Sequence, residues 1–122
     1  MTEPRDLARL AAQAASSKQG QDVTILDVGD LIGITDFFVI ASGSSERQIS
    51  TIAEEVERQL KPAAGKPVRR EGESGARWLL LDFVDFVVHV FHEEEREFYR
   101  LENLWRDAPV IEWEDEPEVS SG

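Results

Sequence analysis

The sequence predicts an α/β (α+β) fold: a mixed β-sheet of about five strands flanked by helices. Three observations carry this. Three stretches repeat apolar residues at helical spacing, while five others are short, rich in β-branched and aromatic residues, and bounded by Gly, Pro or Asp. The two kinds interleave in the order α-β-β-α-β-β-β-α. A chain of 122 residues is long enough to enclose a hydrophobic core of its own.

In the first helix Leu7, Leu10, Ala11, Ala14 and Ala15 share a face, with Pro4 in a permissible first turn and Gly20 as a stop. "DVTILDV" (Asp22–Val28) reads as a strand, and "GDLIGITD" as a connection with two glycines. "FFVIASG" (Phe37–Gly43) is apolar on both faces, which suits a central strand. Ser45 and Gln48 form a capping box, and Ile49, Ile52, Ala53, Val56 and Leu60 mark a second helix ended by Pro62 and Gly65.

The proline and charges of "KPVRRE" suit a strand at a sheet edge, and "EGESGA" is a turn. Strands follow at Arg77–Asp82 and Asp85–Phe91. A third helix is expected from about Glu93 to Arg106, burying Phe98, Leu101, Leu104 and Trp105. Its wet side would carry Glu93–Arg96 and Glu97–Arg100 pairs. Residues 1–106 are thus expected as one domain, and the aperiodic, acidic residues 107–122 as an extended or disordered tail.

The net charge is −12, and the segment from Asp107 onward holds six acids and no bases, which leaves −6 on residues 1–106. Such a chain is repelled by phosphate backbones, so free nucleic acid is not an expected partner, whereas a basic protein would be steered towards it. With no cysteine, there is no disulfide framework, thiolate zinc site or cysteine nucleophile. No apolar run approaches membrane-spanning length and "MTEPRDLARL" is not signal-like, so a cytoplasmic protein without membrane contact is expected.

The stretch "ARWLLLDFVDFVVHVFHEEE" (Ala76–Glu95) places Asp82, Asp85 and His89 inside strands that otherwise look destined for a core. If Phe83 and Val84 form a two-residue loop, Asp82 opposes Asp85, Leu80 opposes Val87, Trp78 opposes His89 and Ala76 opposes Phe91. Leu79, Leu81, Phe86, Val88 and Val90 then form an apolar face for the helices to cover. The opposite face carries an aromatic, an imidazole and two carboxylates. An exposed aromatic beside exposed acids is what docking to a basic protein requires. Read alone, the acids are better explained as turn residues, and it is Trp78 and His89 together that point to a surface with a role. Val84 is a poor residue for a primed turn, which wants positive φ.

Other chemistry fits less well. His89, His92, Glu93 and Glu94 lie close in sequence, but spacing across a strand end scatters their side chains, so no metal site is expected. "ASGSSERQ" resembles the Gly-Ser turn that opens nucleotidyltransferase sites, yet the next strand offers no Asp-x-Asp pair for magnesium, and capping by Ser45 already explains it. With two histidines and no nucleophile elbow, no Ser-His-Asp arrangement can be argued.

"DVTILDV", "TDFFVIASGSSERQISTIAEEV" and "EGESGARWLLLDFVDFVVHVFHEEEREFYRLENLW" closely resemble the ribosomal silencing factor (iojap-like) family, from Gly20 to Asp107. The most specific pieces are W-x-L-x-D-F-x-D-x-V-V-H-V-F and F-Y-x-L-E-x-L-W. The resemblance implies a nucleotidyltransferase-like topology without enzymatic activity and without a cofactor. It implies a translational repressor that binds the fourteenth protein of the large ribosomal subunit, a basic protein at the subunit interface, and blocks joining of the small subunit. A late large-subunit assembly role would use the same surface, and a nucleotidyltransferase-like enzyme is the third reading. The partner-facing residues it implies are Trp78, Asp82, Phe83, Asp85, His89, Phe91 and Tyr99. Phe83 and Tyr99 rest on the resemblance alone, and a homodimer is carried over from some members. Val84 stands where the family usually has Gly.

Overall fold

The computed structural model describes residues 3–72, 75–99, 103 and 106–115. The element order is α1 (Pro4–Ser17), β1 (Gln21–Asp27), α2 (Gly29–Ile32), β2 (Phe37–Gly43), α3 (Glu46–Ala64), β3 (Arg69–Glu71), β4 (Trp78–Asp82), β5 (Phe86–His92), α4 (Glu93–Tyr99) and β6 (Val110–Ile111). Six strands form one mixed sheet in the order β3-β4-β5-β2-β1-β6, in which β2 and β5 run parallel and the other pairs antiparallel.

β2 lies inside the sheet with every residue buried, as its unbroken apolar run demands. Helices α1 and α3 cover one face. The alanines of α1 (Ala8, Ala11, Ala12, Ala14, Ala15) allow close approach, and Ile49, Ile52, Ala53, Val56 and Leu60 of α3 are fully buried. Beneath them lie Leu79, Leu81, Phe86, Val88 and Val90, the apolar hairpin face expected to face helices. Ser45 Oγ accepts the Gln48 N–H at 3.1 Å and caps α3. Pro62 does not end α3 but sits inside its last turn, and the helix stops at Gly65.

The opposite face is only partly covered. Leu26, Val28, Phe38, Ile40, Phe91 and Ala108 form a smaller second cluster there. Arg96, expected on the wet side of its helix, is instead buried: its Nη1 donates to Asp22 O at 2.7 Å and Ser42 Oγ at 2.9 Å, which ties α4 to β1 and β2. The expected continuation of this helix through Leu101, Leu104 and Trp105 lies outside the described residues, as does the side chain of Phe98.

The strand count is also larger than expected, because residues after Asp107 join the sheet. Val110–Ile111 pair with Leu26 and Ile25 as an edge strand, Trp113 Nε1 donates to Val23 O at 3.1 Å, and Arg9 Nε donates to Glu112 O at 3.0 Å. As far as Asp115 this segment is docked on the folded body. Among the described residues no helix is long and apolar enough to cross a membrane.

Candidate docking surface

The β4–β5 hairpin pairs Trp78 with Phe91, Leu80 with His89 and Asp82 with Val87. Phe83 N–H donates to Phe86 O at 3.0 Å, so the two loop residues are Val84 and Asp85 rather than Phe83 and Val84. Each partner on β5 therefore lies two residues beyond its expected place. Because side chains alternate with a period of two, a shift of two keeps every residue on its expected face. The expected Asp82–Asp85 opposition does not occur. Asp82 Oδ1 instead accepts the Val84 N–H at 2.8 Å, and Asp85 stands exposed in the loop. The two carboxylates are no longer directly opposed, a placement that would destabilise a hairpin. In exchange, Val84 takes φ 76°, a conformation that β-branched residues seldom adopt.

On the open face Trp78 is 48% exposed. Its indole Nε1–H donates to His89 Nδ1 at 3.2 Å, and its ring lies 4.7 Å from that of Phe91. His89 in turn meets Phe38 edge-on, with ring centroids 4.7 Å apart. Burial holds the imidazole pKa down to about 4, so it is neutral near pH 7. The indole is only a donor, so Nδ1 accepts and the imidazole proton is assigned to Nε2.

Not every expected contact residue lies on this surface. Phe91 does not present its ring outward: it is 3% exposed, and Trp78 stacks against it because the true register sets the two directly opposite. Phe83 belongs to the other side of the sheet, half-buried against the helical core and stacked on Phe86 at 4.9 Å. Tyr99 is the last described residue of α4, and its side chain lies outside the described residues. Asp82 is half-buried, with Arg69 Nη2 3.9 Å from its Oδ2. Trp78, Asp82 and His89 are thus brought onto one face, with Asp85 at the adjoining turn.

Two groups of residues were not anticipated. Arg77 reaches Glu95 at 2.7 Å, Glu94 at 3.3 Å and Glu46 at 3.4 Å, which joins the start of β4 to α4 and α3. Ile34, 84% exposed, and buried Thr35 come from the connection before β2, held to the hairpin turn by Asp36 N–H donating to Asp85 O at 2.9 Å. Nothing local in "GDLIGITD" signals that approach. The Gly-Ser turn is occupied by capping: Ser44 N–H donates to Gln48 Oε1 at 2.7 Å, and Ser45 receives Gln48 N–H. Among the described residues no three His, Asp or Glu side chains converge as metal ligands would.

The family model "Ribosomal silencing factor during starvation" matches residues 1–122. A ribosomal silencing factor of Halalkalibacterium halodurans is 42% identical over 110 residues, covering 90% of this chain and 94% of that protein. A mouse protein named for mitochondrial assembly of the ribosomal large subunit is 33% identical over 91 residues, covering 72% of this chain and 40% of its own length. A crystal structure of a Chromobacterium violaceum protein matches with a TM-score of 0.80 and 33% identity, covering 99% of this chain and 95% of that one.

Proposed function

The chain belongs to the ribosomal silencing factor family, and from that membership we propose that it represses translation by seating its open sheet face on the large ribosomal subunit and excluding the small one. The observation that carries this reading is the Trp78 indole, half-exposed yet held in place by His89 and Phe91. A preoriented aromatic loses little side-chain entropy on docking, which is what an interface anchor needs. Asp85 and the wider charge of −12 supply the anionic surroundings that would attract a basic ribosomal protein. The partner suggested by the family resemblance is the fourteenth protein of the large subunit. The role is steric, with no bond made or broken.

Light scattering of purified subunits tests this directly. Added protein should suppress the rise in signal when small and large subunits are mixed, and large subunits should co-sediment with it. Undiminished association at saturating protein would overturn the silencing reading. The mouse relative's name favours a second reading, late assembly of the large subunit through the same face. Under it, co-sedimentation would persist while association proceeded normally.

A further inference from the structure

Arg69 and Asp82 occupy directly paired positions on β3 and β4, but the two ends of this ion pair are held very differently. Asp82 Oδ1 is fixed by the Val84 N–H at 2.8 Å, and the side chain is 24% exposed. The Arg69 guanidinium is 59% exposed and stands 3.9 Å from Asp82 Oδ2 and 3.8 Å from Glu71 Oε1. Both distances exceed hydrogen-bond length, so this cation is shared loosely between two acids. The next residue shows the contrast. Arg70, on the other face of the strand, donates to Glu57 Oε2 of α3 at 2.7 Å. Arg69 and Asp82 also line a cavity of about 300 Å³, whose walls include Ile34, Phe38, Leu80 and Val87.

We propose that Arg69 is a placeholder: it holds the cation position at Asp82 until a lysine or arginine of the ribosomal partner displaces it. The inference deepens the docking reading and rests on it. Which member of the pair yields follows from the asymmetry. The carboxylate is preoriented by a backbone donor, whereas the guanidinium gives up no hydrogen bond there and keeps Glu71 nearby when it moves. The sign of the incoming group follows from the surroundings. A chain of net charge −12 draws a cation towards this face and repels an anion that would seek Arg69.

The cavity distinguishes a partner side chain from a free ion. A small cation gains little by the exchange, because it replaces one weak exposed pair with another. A lysine or arginine also covers the apolar walls with its aliphatic stem while its head stays at the carboxylate. The placeholder therefore lowers affinity for the true partner by a modest factor, and its removal should strengthen docking.

The test measures binding of full-length Arg69→Gln, Arg70→Gln, Asp82→Asn and the Arg69→Gln/Asp82→Asn double variant to purified large subunits, at low and at high ionic strength. Trp78→Ala checks the docking face itself. Arg69→Gln should bind about two- to fivefold more tightly than the parent at low ionic strength, the range of exposed ion pairs, with little change in its unfolding midpoint. The gain should shrink at high ionic strength. Arg70→Gln makes the same change in net charge on the opposite face and should gain less. Asp82→Asn keeps an acceptor for the Val84 N–H, and in that background Arg69→Gln should bring no gain. If Arg69→Gln binds no more tightly than Arg70→Gln, or if its gain persists beside Asp82→Asn, the placeholder falls. Should Trp78→Ala still bind poorly in that case, the docking face stands. If Trp78→Ala also binds like the parent, the docking reading falls and the placeholder with it.

Discussion

Trp78 and His89 are joined by a hydrogen bond of 3.2 Å across the hairpin, although the ladder pairs Trp78 with Phe91 and His89 with Leu80. The contact is therefore diagonal, within reach only because both side chains are large. It immobilises an indole that is half in water and selects the tautomer of an imidazole that is mostly out of it.

Replacing that indole should separate binding from folding. Trp78→Ala is expected to weaken attachment to large subunits by at least about 2 kcal/mol, roughly thirtyfold. Its cost to stability should be nearer 1 kcal/mol, since about half the ring is already solvated. Co-sedimentation titrations alongside urea unfolding would show the two effects apart. Equal losses in both would mean the residue matters only for the fold.

Acid should destabilise the protein through His89. Burial lowers its pKa from 6.5 to about 4. Between those values the unfolded chain carries a proton on this imidazole and the folded chain does not. Stability therefore falls as pH drops through that window, by at most about 3 kcal/mol, and this contribution is level above pH 6.5. Urea midpoints measured near pH 7 and near pH 4.5 should converge more closely for His89→Phe than for the parent. An identical pH slope in the two proteins would refute the assignment.

The strained tip of the hairpin invites a gain in stability. Val84 holds φ 76° while 55% exposed, so it contributes little packing in return. Val84→Gly should raise unfolding stability by about 1 kcal/mol, and it keeps the N–H that Asp82 accepts. A lower urea midpoint for Val84→Gly would show that unfolded-chain entropy outweighs the relieved strain.

Trp113 tests whether the acidic segment belongs to the folded body. Its ring packs against the main core and its Nε1–H reaches Val23 O at 3.1 Å. Trp113→Ala should lower stability by about 2 kcal/mol in thermal or urea unfolding. An unchanged midpoint would mean that β6 contributes nothing to the cooperative unit.

Much of the fold was legible from local pattern. The apolar spacing of α3 and the Ser45–Gln48 cap depend on residues three or four apart, and both are realised. The two faces of the hairpin were legible for a related reason: alternation survives a register shift of two, so Trp78, Asp82 and His89 could be placed together while their cross-strand partners were misassigned. The loop position was not legible, because the choice between Phe83–Val84 and Val84–Asp85 sets backbone strain at Val84 against two opposed carboxylates.

What alternation cannot encode is what arrives to cover each face. That Arg96 is buried against Asp22 and Ser42, that Ile34 and Thr35 close one side of a cavity, and that Val110–Ile111 extend the sheet all depend on residues far apart in the chain. The chain on its own determined the class of fold, the family and the side of the sheet that bears the aromatic. The folded molecule decided that Phe91 lies beneath Trp78 and Phe83 behind it, because exposure is a property of neighbours gathered from the whole chain, and side-chain period reports only direction.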